Sequence, residues 1–192
     1  LMDRELWQEL CLMAAWIRDA TILRWAELTE RLSRQELTPG LVTALLLENP
    51  LPARAVYDAR RIHLESASPA CVWTGDRLTA NNCDIDHAIP FSLWHNNDLW
   101  NLFPMRSALN RAKSDKLPTR RLLLARKEAI TQAWEQAYTT YPNRFNAETA
   151  SFAGKDIAGK TQWPGQLFTL FAEAVEVTAI QRGAERWEPQ VK

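Results

Sequence analysis

The sequence predicts an α+β chain that is predominantly α-helical, with one small β, β, α unit set between helical flanks. Three observations lead there. Both ends carry apolar residues at helical spacing over long stretches. Only residues 71–75 (CVWTG) and 83–89 (CDIDHAI) read as strands. Gly75, Asp76, the Asn81-Asn82 pair, Pro90 and Pro104 supply the turns and boundaries around them.

Residues 3–35 contain no Gly or Pro, and Leu6, Leu10, Met13, Ile17 and Ala20 recur at helical spacing, which predicts one long helix or two stacked ones. Trp7, Trp16 and Trp25 stand nine residues apart, two and a half turns, so successive indoles fall on roughly opposite sides and cannot all face one core. Thr38 and Pro39 read as the N-cap and first residue of a helix reaching Leu47, and Pro52 begins another to about residue 64. The two strands then form a hairpin. Pro90 ends the second strand, residues 91–100 form an irregular loop, and Pro104 opens a helix to about Lys113 that Pro118 forbids from continuing.

A helix over residues 119–138 turns Leu122, Leu123, Ala129, Ile130 and Ala133 inward. A polar link spans residues 142–162, and Pro164 starts a last helix with Leu167, Leu170, Phe171, Ala174 and Val175 as its apolar stripe. The domain reading is a helical N-terminal scaffold or partner-binding segment over 1–66, a β, β, α module over 67–118, and a helical extension over 119–192 that packs on the module.

The formal net charge is zero, but it is segregated along the chain. From Pro104 to Lys127 eight basic residues stand against Asp115 alone, a local net charge of +7, whereas residues 1–50 carry a net −3. Such asymmetry predicts one face for a polyanion and another for a different partner. Three cysteines (Cys11, Cys71, Cys83) are too few and scattered for a disulfide framework, and no charged-then-apolar leader opens the chain, so the expectation is a reduced, cytoplasmic protein. The longest apolar run, residues 41–47, stops at Glu48 and Pro50, far short of the roughly 20 residues that span a bilayer.

The chemistry concentrates in residues 83–118. His87 follows Asp86 at the end of the second strand, and an imidazole titrating near neutrality can take a proton from an attacking water. Asp86 offers a carboxylate oxygen and Asn110 an amide oxygen to a divalent ion, and oxygen ligands suit Mg²⁺ or Mn²⁺. An ion held by two protein groups keeps positions open for a phosphate oxygen and water. Neighbouring strand residues point to opposite faces, so Asp86 and His87 reach one site only if the strand bends or ends there, and a local irregularity is expected at residues 86–88. On the following helix Arg106, Asn110 and Lys113 or Ser114 share a face, with Lys113 steadying a phosphate or a nearby carboxylate. Arg106, Arg111, Lys113, Lys116, Arg120 and Arg121 form the basic surface for nucleic acid. His95 is expected to be exposed and His63 structural.

The pattern Asp86-His87-x-x-Pro90, Asn101, then Asn110-Arg111-x-Lys113-Ser114-Asp115 resembles the HNH endonucleases, and is similar to the subgroup that includes the HNH domain of RNA-guided CRISPR effector nucleases. The likeness covers about residues 70–118. It implies a ββα-metal site that hydrolyses one strand with one divalent ion, His87 acting as general base and Asp86 and Asn110 holding the metal. It also implies that Asn101 holds the preceding loop so that His87 points correctly. Many HNH proteins carry two Cys-x-x-Cys knuckles around zinc. Here Val72, Trp73 and Thr74 follow Cys71, and no structural zinc is expected.

The expected function is a metal-dependent endonuclease acting on DNA, with RNA as the other candidate. It is read either as a free-standing enzyme or as a module of a bacterial antiviral defence or RNA-guided assembly, engaging a protein partner or parent-chain domain through its N-terminal helices. The alternative is a non-catalytic nucleic-acid-binding domain.

Overall fold

In the computed structural model, residues 14–48 and 53–189 are described, and the chain divides into two compact units, 1–52 and 53–192. In the first unit α1 (Ala14–Leu32) packs on α2 (Pro39–Glu48). The chain turns between them at Arg34 and Gln35, both at positive φ. Thr38 caps α2, its hydroxyl accepting the Leu41 N–H at 3.3 Å. Trp25 is 61% exposed, while Trp7 and the Trp16 side chain lie outside the described residues.

The second unit is built on an antiparallel pair. β1 (Cys83–His87) pairs with β2 (Leu102–Arg106), with Asp86 opposite Phe103 and His87 opposite Leu102. This corrects the expected hairpin: residues 71–75 are not the partner strand. Gly75 takes φ +82 and its N–H returns to the Cys71 carbonyl at 2.8 Å, so the run closes into a turn and cannot stay extended. Only an Ala70–Arg77 bridge and the Val72 N–H, bonded to the Pro104 carbonyl at 2.9 Å, carry strand-like contacts there.

Pro104, expected to open a helix, lies within β2 opposite Ile85. Its carbonyl points away from β1 to Val72, which makes Ile85–Pro104 a non-hydrogen-bonded pair where the ladder does not require the missing N–H. The helix α3 (Tyr57–Leu64) precedes the strands, and the short helix α4 (Phe91–Trp94) and a 3-10 turn (Leu99–Asn101) punctuate the connection expected to be irregular. α5 (Ser107–Lys113) follows β2 and packs on both strands.

The C-terminal part carries two further corrections. The expected 119–138 helix is two, α6 (Arg120–Ala125) and α7 (Lys127–Thr140), because Arg126 leaves helical geometry at φ −109, ψ 11. The expected polar link contains α8 (Pro142–Ala153), which starts on a proline, buries Phe145 and Thr149, and stops at Gly154 in the left-handed region. α9 (Trp163–Arg182) buries Leu167, Phe171 and Val175, with Leu170 and Ala174 partly covered. A short parallel pair, β3 (Leu117–Pro118) with β4 (Arg186–Trp187), ties the C-terminal segment beside α5.

One core joins these elements. Trp73, Trp100, Phe103, Trp134 and Phe171 form a chain of edge-on and tilted rings with centroids 5.5–6.3 Å apart, linking the turn, β2, α7 and α9. Among the described residues, no helix is long and apolar enough to cross a membrane.

Candidate functional site

Side chains on β1 alternate, so Asp84 and Asp86 reach α5 while His87 points to the other face. The expected irregularity lies at the end of the strand: β1 stops at His87, and the chain bends at Ala88 and Ile89. Pairing runs through His87–Leu102 and continues with the Ala88 N–H on the Asn101 carbonyl at 2.9 Å. Asp86 and His87 are thus the last two residues of the strand, their side chains leaving on opposite sides just before the chain bends.

Asp86 is 2% exposed, and both its oxygens have donors: Lys113 Nζ at 2.8 Å on Oδ1 and Trp73 Nε1 at 3.0 Å on Oδ2. Burial nevertheless pushes its carboxyl above the ordinary range, against the pull of Lys113 and Trp73. Lys113 itself is fully buried, and its ammonium also donates to the His87 carbonyl at 2.8 Å. An enclosed ammonium has no access to a strand in solution, so the place expected for it on the basic surface is corrected: Lys113 braces the end of β1 from inside.

Asn110 meets a different carboxylate. Its Nδ2 donates to Asp84 Oδ2 at 3.3 Å, and the Ser107 hydroxyl donates to Asp84 Oδ1 at 2.8 Å. Asp84, Asp86 and Asn110 thus present oxygen-bearing groups on the same side of β1, a donor set suited in chemistry to a hard divalent ion. Asp84 escaped the sequence reading, although its two-residue offset from Asp86 on a strand was the available signal. Among the described residues no three His, Cys, Asp or Glu side chains cluster as a metal site.

His87 is 1% exposed, and its partners define its state. Asn97 Oδ1 accepts the Ala55 N–H at 2.9 Å, which fixes that atom as the amide oxygen, and Asn97 Nδ2 donates to the Ala53 carbonyl at 2.9 Å. His87 Nε2, 3.2 Å from the same oxygen, therefore carries the ring hydrogen. Nδ1 is left as an acceptor and receives the Nε–H of Arg54 at 3.4 Å. Burial, aided by the Arg54 and Lys113 charges, lowers the imidazole to about 4, so the ring is neutral near pH 7.

The connection between the strands is held from several sides. Asn101, fully buried, clasps Ile89 by accepting its N–H at 2.8 Å and donating to its carbonyl at 2.9 Å. Arg144 on α8 donates to the Asn97 carbonyl at 3.3 Å, and Glu148 accepts the Leu99 N–H at 2.7 Å. Phe91 sets its ring edge-on to His87 at 5.3 Å. Asn97, Arg54, Arg144 and Glu148 were not singled out in the sequence, because polar residues this far apart carry no shared local pattern.

A cleft of about 510 Å³ opens here, lined by Arg54, Phe91, Asn110, Arg111, Ser114 and Asp115 among others. The basic surface around it is thinner than the sequence implies. Arg106 pairs with Asp76 at 3.1 Å, Lys116 with Glu185 at 3.1 Å, and Arg121 with Glu188. Arg106 also lines a separate cavity with Trp73 and Leu109, so it does not share the Asn110 face as expected. Arg111 and Arg120 have no carboxylate partner among the described residues. His95 is half-buried against Phe91, and His63 is buried, its imidazole lowered to about 4 by desolvation.

The cleft, the neutral imidazole and the polar face of α5 fall within or beside one stretch that has relatives. A family described as a domain of unknown function matches residues 1–46, outside this region. No curated protein matches the chain. Residues 71–119 match the family model of the HNH endonucleases, which supports the HNH family for the segment carrying Asp84, Asp86, His87, Asn101 and Asn110 and points to nuclease activity in general.

Proposed function

We propose that the chain is a metal-dependent HNH endonuclease that hydrolyses phosphodiester bonds in DNA. The observation that carries this reading is His87: a neutral imidazole with Nδ1 kept as an acceptor, beside a cleft lined by Asn110, Arg54 and Arg111. A divalent ion would be held by Asn110 and Asp86, with Asp84 as a further oxygen donor beside Asn110. When bound, such an ion supplies charge stabilisation at the phosphorus centre and at the departing oxygen.

The chain's own residues do the rest. Arg111 and Arg54 attract the phosphate into the cleft. His87 Nδ1 takes a proton from water as the water oxygen bonds to phosphorus, and the bond to the 3′-oxygen breaks with its electron pair leaving on that oxygen. Nε2–H stays on Asn97 and keeps the ring oriented. For Asp86 to join the ion, Lys113 must share or release Oδ1.

Nicking of supercoiled plasmid with Mg²⁺ or Mn²⁺ tests the proposal. Activity is expected with either ion, lost in EDTA, and reduced at least ~100-fold in His87→Ala, the scale of general-base catalysis. Undiminished nicking by His87→Ala refutes the assignment. The acidic segment ahead of residue 53 supports a partner-binding role, and the likeness of residues 70–118 to the HNH domains of RNA-guided nucleases is the ground for placing that role in a bacterial defence or RNA-guided assembly. The second reading, a non-catalytic nucleic-acid-binding domain, is favoured by the enclosed Asp86–Lys113 pair. It predicts duplex binding with no cleavage under any divalent ion.

A further inference from the structure

Arg54 precedes the segment that matches the HNH family, and nothing in that motif assigns it a role. Three observations single it out. Its Nε–H lies on the one ring atom of His87 able to act as a base, at 3.4 Å. The residues on either side of it, Ala53 and Ala55, are both hydrogen-bonded to Asn97, the residue that also holds His87. Its position along the chain is therefore fixed relative to the imidazole while the side chain remains exposed. Third, no carboxylate pairs with it among the described residues, unlike Arg106, Lys116, Arg121, Arg144 and Arg186.

We propose that Arg54 is a phosphate-responsive gate on His87: it covers Nδ1 in the empty cleft and moves onto the phosphate of a bound strand, uncovering the base only when substrate is present. A guanidinium donating to a neutral nitrogen at 3.4 Å makes a long, weak bond, whereas with a phosphate oxygen both partners are charged and the bonds shorten to about 2.7–2.9 Å. An oxyanion entering the cleft beside Asn110 and Arg111 competes successfully for the same donor. The terminal amino groups of Arg54 are also available for bidentate contact. Water thereby gains the imidazole acceptor in the step that positions the phosphate. The inference rests on the phosphodiester-hydrolysis reading and extends it to a residue outside the motif.

The test compares wild type with Arg54→Gln and Arg54→Lys on a short DNA duplex. Binding is measured in EDTA across a salt series and cleavage in single-turnover mode with Mg²⁺ or Mn²⁺. Loss of one phosphate contact is expected to reduce the slope of log affinity against log salt by about 0.9 in Arg54→Gln. Cleavage is expected to fall by about 10- to 100-fold, the range of one charge-assisted hydrogen bond, with Arg54→Lys recovering part of it. In ¹⁵N-histidine-labelled protein the His87 Nδ1 resonance should shift when duplex is added to wild type, and should already be shifted in free Arg54→Gln.

An unchanged salt slope in Arg54→Gln, with matching thermal melts, overturns the proposal whatever the cleavage rate, because it leaves Arg54 only a structural cap on the ring. Wild-type protein that binds duplex but cuts with no divalent ion defeats the nuclease reading instead. The phosphate contact of Arg54 is then still judged by the slope.

Discussion

Replacing Lys113 with Met tests whether the interior of the module depends on its enclosed ion pair. Met keeps most of the aliphatic stem, so the change isolates the charge and its two bonds, to Asp86 Oδ1 and to the His87 carbonyl, both 2.8 Å long. Asp86, 2% exposed, would keep only the Trp73 indole as a donor. Removing one partner of such a pair typically costs about 3–5 kcal/mol, a large share of the stability of a domain this size. Replacing both, as in Asp86→Asn with Lys113→Met, removes the uncompensated charge and should recover most of that loss.

The pH dependence has a definite sign. The folded-state carboxyl of Asp86 lies above its ordinary value, so the folded state holds that proton more tightly than the unfolded state. Stability then falls as pH rises from the ordinary carboxylate range to the folded value, and levels off above it. Without the Lys113 ammonium the carboxyl rises further, the falling window widens, and the Lys113→Met deficit grows from acid towards neutral pH. Urea denaturation at a series of pH values measures this directly. A deficit under ~1 kcal/mol at neutral pH, or one that shrinks as pH rises, refutes the reasoning.

Two buried imidazoles, His63 and His87, each lowered to about 4, should make the fold acid-labile. The unfolded chain binds their protons first, so stability present above the unfolded value near 6.5 is lost as pH falls towards 4, by at most about 3 kcal/mol per histidine. Denaturation midpoints that stay flat from neutral to acid pH would contradict it. Glu148→Ala strips the Leu99 N–H of its acceptor and leaves Arg144 only Asp58 as a carboxylate partner, and should cost about 1–3 kcal/mol. The same variant should cut more slowly at unchanged duplex affinity, because the loosened segment carries Asn97; thermal melts and single-turnover rates read the two effects, and an unaltered melt counts against the clamp.

The HNH-like order of Asp86, His87, Asn101 and Asn110 was legible from the chain alone because it is confined to a few dozen residues with prolines marking the boundaries. Helices with a clear apolar stripe, such as α9, were legible for a similar reason: periodicity is a local property. α8 was hidden by its polar composition, and β2 by a proline that only a non-hydrogen-bonded strand position accommodates.

What the sequence by itself determined is the set of reactive groups and their order along the chain. Tertiary structure alone decided which of them meet, since partners such as Lys113 with Asp86, Arg54 with His87 and Arg144 with Asn97 lie 27, 33 and 47 residues apart. It also decided how much of the +7 charge remains available, because Asp76, Glu185 and Glu188 come from distant segments to pair with Arg106, Lys116 and Arg121. The reason is physical: the spacing of residues in a helix or strand fixes only near-neighbour geometry, whereas burial and pairing depend on how remote elements pack.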